Sequence, residues 1–480
     1  MAKPFSKVRS AAIDGRVHNP FFRKTQLKRL HDKLIDNSAE IQKVLGEDTG
    51  HRPAEIKAEY WLALRCLADT YNSIEPERDL DAEYAIANGN DAPRACEPVG
   101  IVVIEPATHA FLFGLISALA PAIAAGNCVI IRVEQTMLKA PLVILGLVEE
   151  ALDQNIICTT TAKAIADADI NHRHVRVLQN GSPDPPLTNH VVSPIEARVV
   201  AVVERDADLT VSAEALVGAR FGLRGKSPYA PDLILVNEWV FKDFLAAAVQ
   251  CSIRLATNGR MAAAGAKVSG GFADEAINSG QARLVSSAAN GTVVELLDRS
   301  SAMAQPKLGE RCLVLHAVAS VDDAINLSNG LGRLAAAFVF TRTLGAAKYL
   351  CQFLDSDVSF VNQLPIALLF SPVAPAEKPL DIGSSTPYDL SFFTLPKPQY
   401  VLPPRQSQLL DGILLEPTPL LLAQLDDEVR ARLPEVKRLK NGRDIGFFDQ
   451  GVITGGILVI STVVTCASLL VYYARARWHA

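Results

Sequence analysis

Apolar positions recur along this chain in two rhythms. Up to about residue 90 the spacing is helical: Leu27, Leu30, Leu34, Ile41, Val44 and Leu45 share one face, and Lys24, Lys28, Arg29, Asp32, Lys33 and Lys43 lie between them. Asn37, with Glu40 three residues on, predicts a fresh helical turn at that point. A second helix is predicted over residues 54–71. In both, the charges lie opposite the apolar stripe, so the helices read as packing elements.

From Pro98 onward short apolar runs alternate with longer amphipathic ones. Strands are predicted over 99–104, 128–133, 175–178, 200–203 and 233–236, helices over 111–125, 142–152, 211–221 and 240–253, and a strand-rich stretch over 293–340. Strands alternating with helices build a parallel sheet, which holds ligands at the carboxyl ends of its strands. Residues 396–404 and 417–419 are punctuated by proline and read as an extended arm and a linker, and 420–443 is polar and partly helical. Between Asp449 and Arg475 no residue is charged, and residues 451–473 predict a membrane-spanning helix. A helix of about 20 apolar residues crosses a hydrocarbon core of about 30 Å, and a core helix of that length normally shows a polar face.

Tyr472, Tyr473 and Trp478 stand where an interfacial aromatic belt falls. Arg475 and Arg477 flank one side of the span, and Lys437, Arg438, Lys440 and Arg443 flank the other; the longer upstream cluster favours a cytosolic body. Residues 1–19 carry charges throughout and contain no apolar signal core, which agrees with that orientation. The expected localisation is a single-pass, C-terminally anchored protein inserted after translation, with the endoplasmic reticulum the expected membrane and lipid the partner of residues 451–473.

Composition changes this picture little. The chain has 480 residues, of which 49% are hydrophobic and 21% charged, with a net charge of -5: an ordinary globular balance that predicts no nucleic-acid partner. Its eight cysteines include no Cys-x-x-Cys pair or Cys/His cluster, so neither a disulfide framework nor a metal site is indicated.

Six segments taken in order resemble the aldehyde dehydrogenase superfamily, especially its short, C-terminally anchored branch that oxidises long-chain aldehydes. They are Glu97-Pro98-Val99-Gly100, Pro121-Ala122-Ile123-Ala124-Ala125-Gly126-Asn127, Val129-Ile130-Ile131-Arg132, Asp206-Ala207-Asp208-Leu209, Ala230-Pro231-Asp232-Leu233 and Phe338-Val339-Phe340-Thr341. The resemblance implies an α/β fold. Its parts would be N-terminal helices with a Rossmann-type cofactor-binding-like domain (1–200), a catalytic-type α/β domain (201–395), an oligomerisation arm and linker (396–450) and the transmembrane helix (451–473). It also implies NAD or NADP as cofactor, and a dimer built on the arm near Gln399, Tyr400, Val401 and Leu402.

The family's chemistry needs a thiolate nucleophile, an oxyanion-stabilising Asn, a general-base Glu and a nicotinamide cofactor. Its nucleophile segment, Asn-x-Gly-Gln-x-Cys followed by Pro-Asp, corresponds to residues 223–232 and places Pro228 at the cysteine. Proline offers neither a nucleophile nor an N–H for an oxyanion hole. Adjacent Ser227 lacks an identifiable activating base and reads as a turn residue ahead of proline. The oxyanion segment reads Pro106-Ala107-Thr108-His109-Ala110, so Thr108 replaces the Asn and His109 reads as a loop histidine. Glu196 is the candidate for the general base, but it lacks the flanking glycines and lysine.

In the cofactor segments the family's strand-end lysine is Arg132, and the glycine-serine that meets the pyrophosphate is Gly181-Ser182. The helix expected after it is replaced by Pro183-Asp184-Pro185-Pro186, which cannot sustain helical hydrogen bonding. The ribose glutamate is Lys307, with Glu310 a shifted alternative. Two readings follow. One is a catalytically impaired scaffold, subunit or binding protein, as a homodimer or a heterodimer with an active paralogue. The other is an active NAD(P)-dependent dehydrogenase of fatty or other apolar aldehydes that uses a different thiol.

Overall fold

The computed structural model describes residues 5–181, 187–258, 271–288, 291–301, 303, 307–376, 378, 380–383, 385–403, 407, 410, 413–414, 416–430, 432–434 and 447–478. They form two units, 1–402 and 403–480.

The first unit opens with helices α1 (Ser6–Asp14), α2 (Pro20–Asp36), α3 (Ser38–Thr49), α4 (Pro53–Ser73) and α5 (Pro76–Glu83). Leu27, Leu30 and Leu34 of α2 and Ile41 and Leu45 of α3 are buried, as the helical spacing requires. At the predicted turn Asn37 does occupy the N-cap of α3, but its side chain caps nothing. The amide instead donates back to the carbonyl of Lys33 at 2.8 Å, satisfying the end of α2.

Strand β1 (Cys96–Pro98) leads into β2 (Ile101–Glu105), α6 (Phe111–Ala124), β3 (Cys128–Arg132), α7 (Lys139–Ala151), β4 (Ile157–Thr160), α8 (Asp167–Ile170), β5 (His174–Leu178) and β6 (His190–Val192). Five of these strands make a parallel sheet in the order β4-β3-β2-β5-β6. Every residue of α6 is buried, which accounts for its lack of a polar face.

The second sheet takes β7 (Val199–Val203), α9 (Leu209–Phe221), β8 (Leu233–Asn237), α10 (Phe241–Asn258), α11 (Gly271–Asn278), β9 (Ala282–Ala288), β10 (Gly291–Leu296), β11 (Cys312–Val318), α12 (Val321–Gly330), β12 (Ala336–Phe340), α13 (Leu344–Phe353) and β13 (Ser359–Val361). Its order is β13-β12-β7-β8-β11-β10-β9, parallel except for the β9–β10 pair. β7 and β8 are buried along their whole length, the mark of strands covered on both faces. The stretch 293–340 is not all strand: α12 crosses it, with Ser320 capping by accepting from the amide of Asp323. Strand β14 (Thr394–Pro396) pairs antiparallel with β1, and Glu97 receives both Arg173 and Lys397 at 2.7 Å.

In the second unit α14 spans Pro419–Arg430 and α15 spans Phe447–Trp478. Within α15, residues 450–471 are long and apolar enough to cross a membrane, and their side chains are exposed. The hydroxyls of Thr454, Thr462, Thr465 and Ser468 each donate to the carbonyl four residues back, at 2.7–2.8 Å. That arrangement leaves these donors satisfied without water. The flanking Lys437, Arg438, Lys440 and Arg443 lie outside the described residues.

Candidate active site

The loop that follows α9 begins with three successive left-handed residues, Leu223, Arg224 and Gly225, at φ 46°, 56° and 74°. Only glycine fits the third. A β-carbon there would lie 2.5 Å from the Glu310 carbonyl, where the loop crosses the chain entering β11. Beyond this crossing Ser227 is buried, and its hydroxyl oxygen accepts from the amide of Tyr229 at 3.3 Å, so it is a turn residue.

Pro228, which the resemblance places at the nucleophile, presents its carbonyl to the ammonium of Lys307 at 2.6 Å. Lys307 also reaches Asp232 Oδ2 at 2.9 Å. Asp232 is the hub of a buried network, accepting from the amides of Val199 and Leu308 at 2.9 and 3.0 Å and lying 3.4 Å from Arg220 Nη1. Arg220, fully buried, donates in addition to the carbonyls of Gly225, Leu308 and Glu310. Burial pulls the Lys307 ammonium below its usual range and Asp232 opposes that pull, so the pair is an internal clamp. The residue that the resemblance aligns with a ribose contact is therefore spent on tying down the loop at Pro228.

Six thiols are shifted, all of them away from the thiolate. Burial pushes Cys66 and Cys128 up to about 12 and Cys312 up to about 11, and raises Cys158, Cys251 and Cys351. A reactive thiol needs the opposite shift.

Thr108 is exposed on the turn before α6. That turn is held by two amides that sequence reasoning overlooked. Gln179 accepts from Ala107 N at 2.7 Å and donates to the Gly114 carbonyl at 2.8 Å, and Asn180 donates to the Pro106 carbonyl at 2.8 Å. Two amide side chains directly after an apolar strand and before Gly181 were the available signal. Burial first, and the nearby His51 second, pull His109 down to about 4, so it is neutral and a poor base at neutral pH. The first turn of α6 is capped from α4: Glu59, fully buried, accepts from Leu112 N at 3.0 Å.

Glu196 is exposed in the turn after β6, where its charge favours the ammonium of Lys307. Arg132 spends its guanidinium on Glu105 and on the carbonyls of Ala162 and Lys163 at 2.5, 3.1 and 2.7 Å. Gly181 is left-handed at φ 78°, while Ser182 lies outside the described residues. The parallel strands β5 and β6 are joined by residues 179–189 alone. Of these, 182–186 lie outside the described residues. Arg132 and Lys307, two positions that the resemblance gives to the cofactor, are thus engaged by partners within the protein.

Residues 15–184 match the aldehyde dehydrogenase family. No curated protein matches the chain by sequence. Among solved structures, the substrate-bound AldH of Staphylococcus aureus is 18% identical, aligns over 89% of this chain and 98% of its own, and superimposes with a TM-score of 0.69. The aldehyde dehydrogenase KauB of Pseudomonas aeruginosa is 17% identical over 82% of this chain and 87% of its own, with a TM-score of 0.63. The indole-3-acetaldehyde dehydrogenase AldA of P. syringae, solved with NAD+ and IAA, is 16% identical over the same shares, also with a TM-score of 0.63. The chain has the aldehyde dehydrogenase fold, and its N-terminal part carries that family's sequence pattern.

Proposed function

We propose that this chain is a membrane-anchored aldehyde dehydrogenase-like protein that does not oxidise aldehydes and acts as a scaffold, subunit or binding protein. The observation that carries the reading is Pro228 at the nucleophile position, its carbonyl clamped by Lys307. Acyl transfer through this loop has no attacking atom, and the thiols whose shifts are resolved are all disfavoured as thiolates. Arg132 and Lys307, engaged by Glu105 and Asp232, argue against NAD or NADP as a resident cofactor. The span 450–471 supports anchoring in lipid with the body cytosolic, the endoplasmic reticulum being the membrane proposed. Tyr400, Val401 and Leu402, exposed on the arm, suit pairing with a second copy or with an active paralogue.

The test uses the full chain in neutral detergent, with NAD and NADP titrated by calorimetry and reduced nicotinamide followed with long-chain aldehydes. The reading expects neither binding nor turnover. NAD(P)-dependent oxidation that disappears when one cysteine is changed to serine would establish the alternative, an active dehydrogenase of apolar aldehydes.

A further inference from the structure

A second cluster, not used by the clamp, lies where three segments meet: the junction between α3 and α4, the left-handed turn after α9, and the chain entering β11. Arg224 lies over Gly50 so closely that a β-carbon there would be 2.6 Å from its Nη1. Gly225 packs on the backbone of Glu310 and Arg311, which sets Arg311 beside the same turn. Lys226 follows at the exposed end of the turn. Leu223 N donates to Glu55 Oε1 at 3.1 Å, fixing the turn to α4.

The charges in this neighbourhood do not balance. Glu55 is consumed by Arg52, through its backbone N–H at 2.8 Å and its guanidinium at 2.5 and 2.9 Å. Among the described residues, Arg224, Lys226 and Arg311 have no hydrogen-bonded or ion-paired carboxylate. Arg311 feels Arg224 and Arg52 as repelling charges and only Glu55 as an attracting one, whereas Glu310 acts on Arg220. His51, only 7% exposed, lies within electrostatic reach of Glu55 on one side of the balance and of Lys226, Arg224 and Arg311 on the other. Its Nδ1 is buried without a hydrogen-bond partner among the described residues, as is Nε2 of neighbouring His109. Three cations without a paired carboxylate, Arg224 and Lys226 on the turn and Arg311 beside it, stand near a buried imidazole nitrogen without a partner among the described residues, an arrangement that a bound anion would relieve.

We propose that Arg224, Lys226, Arg311 and His51 form a binding site for a phosphoryl group. A dianionic phosphate matches the excess charge better than a single carboxylate, and its oxygens suit guanidinium donors. The group is carried either by a soluble phosphate ester or by the headgroup of an anionic lipid. The site stands on this cluster and not on the loss of oxidation, so either conclusion can fail without the other.

The experiment follows the thermal unfolding of the full chain in neutral detergent. Inorganic phosphate is added in one arm, phosphatidic acid in mixed micelles in a second, and sodium chloride at matched ionic strength in a third. The expected result is a rise of about 2 °C or more with roughly 10 mM phosphate, or with phosphatidic acid, beyond that with chloride. The rise should be lost in Lys226→Gln, a change at an exposed side chain, and in Arg311→Gln. A response to free phosphate assigns a soluble ester, and a response to phosphatidic acid alone assigns a lipid. No rise in either arm, a rise matched by chloride, or a rise retained in both variants overturns the proposal.

Discussion

Glu59 offers the sharpest physical test of the candidate site's architecture. It sits on α4 with no exposed surface, one carboxyl oxygen accepting from Leu112 N and the other without a partner among the described residues. Two effects compete: burial raises its pKa, and the backbone amides of Leu112 and Phe113 at the start of α6 lower it. Burial wins, and the group is pushed from 4.5 up to about 7. Because the folded state then holds a proton that the unfolded state releases, stability falls as pH rises from 4.5 to about 7 and is flat above. At 1.36 kcal/mol per unit, the loss is about 3 kcal/mol. Glu59→Gln keeps an acceptor for Leu112 N and removes the titration. Urea unfolding of both proteins between pH 4 and 8 should show near-equal stability at pH 4 and a variant more stable by up to about 3 kcal/mol at pH 8. Parallel pH profiles for the two proteins, or a variant weaker at pH 8, would refute the claim that Glu59 caps α6 at the cost of burying a charge.

Two further predictions concern the clamp and the thiols. Asp232→Ala leaves Arg220 and Lys307 buried without their counter-charge and should cost about 3–5 kcal/mol, read by denaturant unfolding. In native protein at pH 7.5, iodoacetamide should modify exposed Cys96 and leave Cys66, Cys128 and Cys312 untouched, as peptide mapping by mass spectrometry would show; labelling of Cys312 would reopen the search for a nucleophile.

The sheet strands were legible because runs such as Val199–Val203 and Leu233–Asn237 are apolar at every position or nearly so, and burial on both faces leaves them no alternative. Helix α12 was hidden inside a stretch read as strand-rich: only Ala324, Ile325 and Ser328 of its ten residues are buried, too narrow a stripe to show against flanking strands. Asn37 misled in a different way, since an amide at a helix junction serves the helix behind it as readily as the one ahead. At the candidate site, sequence order placed Pro228, Thr108 and Lys307 individually. It gave no means of seeing that Lys307 reaches back to Pro228, or that Gln179 holds the turn at Ala107, because both contacts join segments more than seventy residues apart.

Those contacts also bear on the residues that carry the resemblance. Pro231-Asp232 resembles the family's segment, although Pro228, three residues earlier, does not. Asp232 binds two backbone amides, a buried guanidinium and a buried ammonium, so losing it would unpair four groups at once. Gly225 is likewise required by the close crossing at Glu310, whatever chemistry the loop performs. Thr108, Glu196 and Arg132 stand at positions where another side chain leaves the hydrogen-bonded frame intact: Thr108 and Glu196 are exposed, and Arg132 has found new partners in Glu105 and two carbonyls. A motif match at Pro231-Asp232 is consequently a statement about folding. It carries no weight for oxidation unless an attacking atom stands at residue 228, and the clamp from Lys307 holds a proline carbonyl there instead.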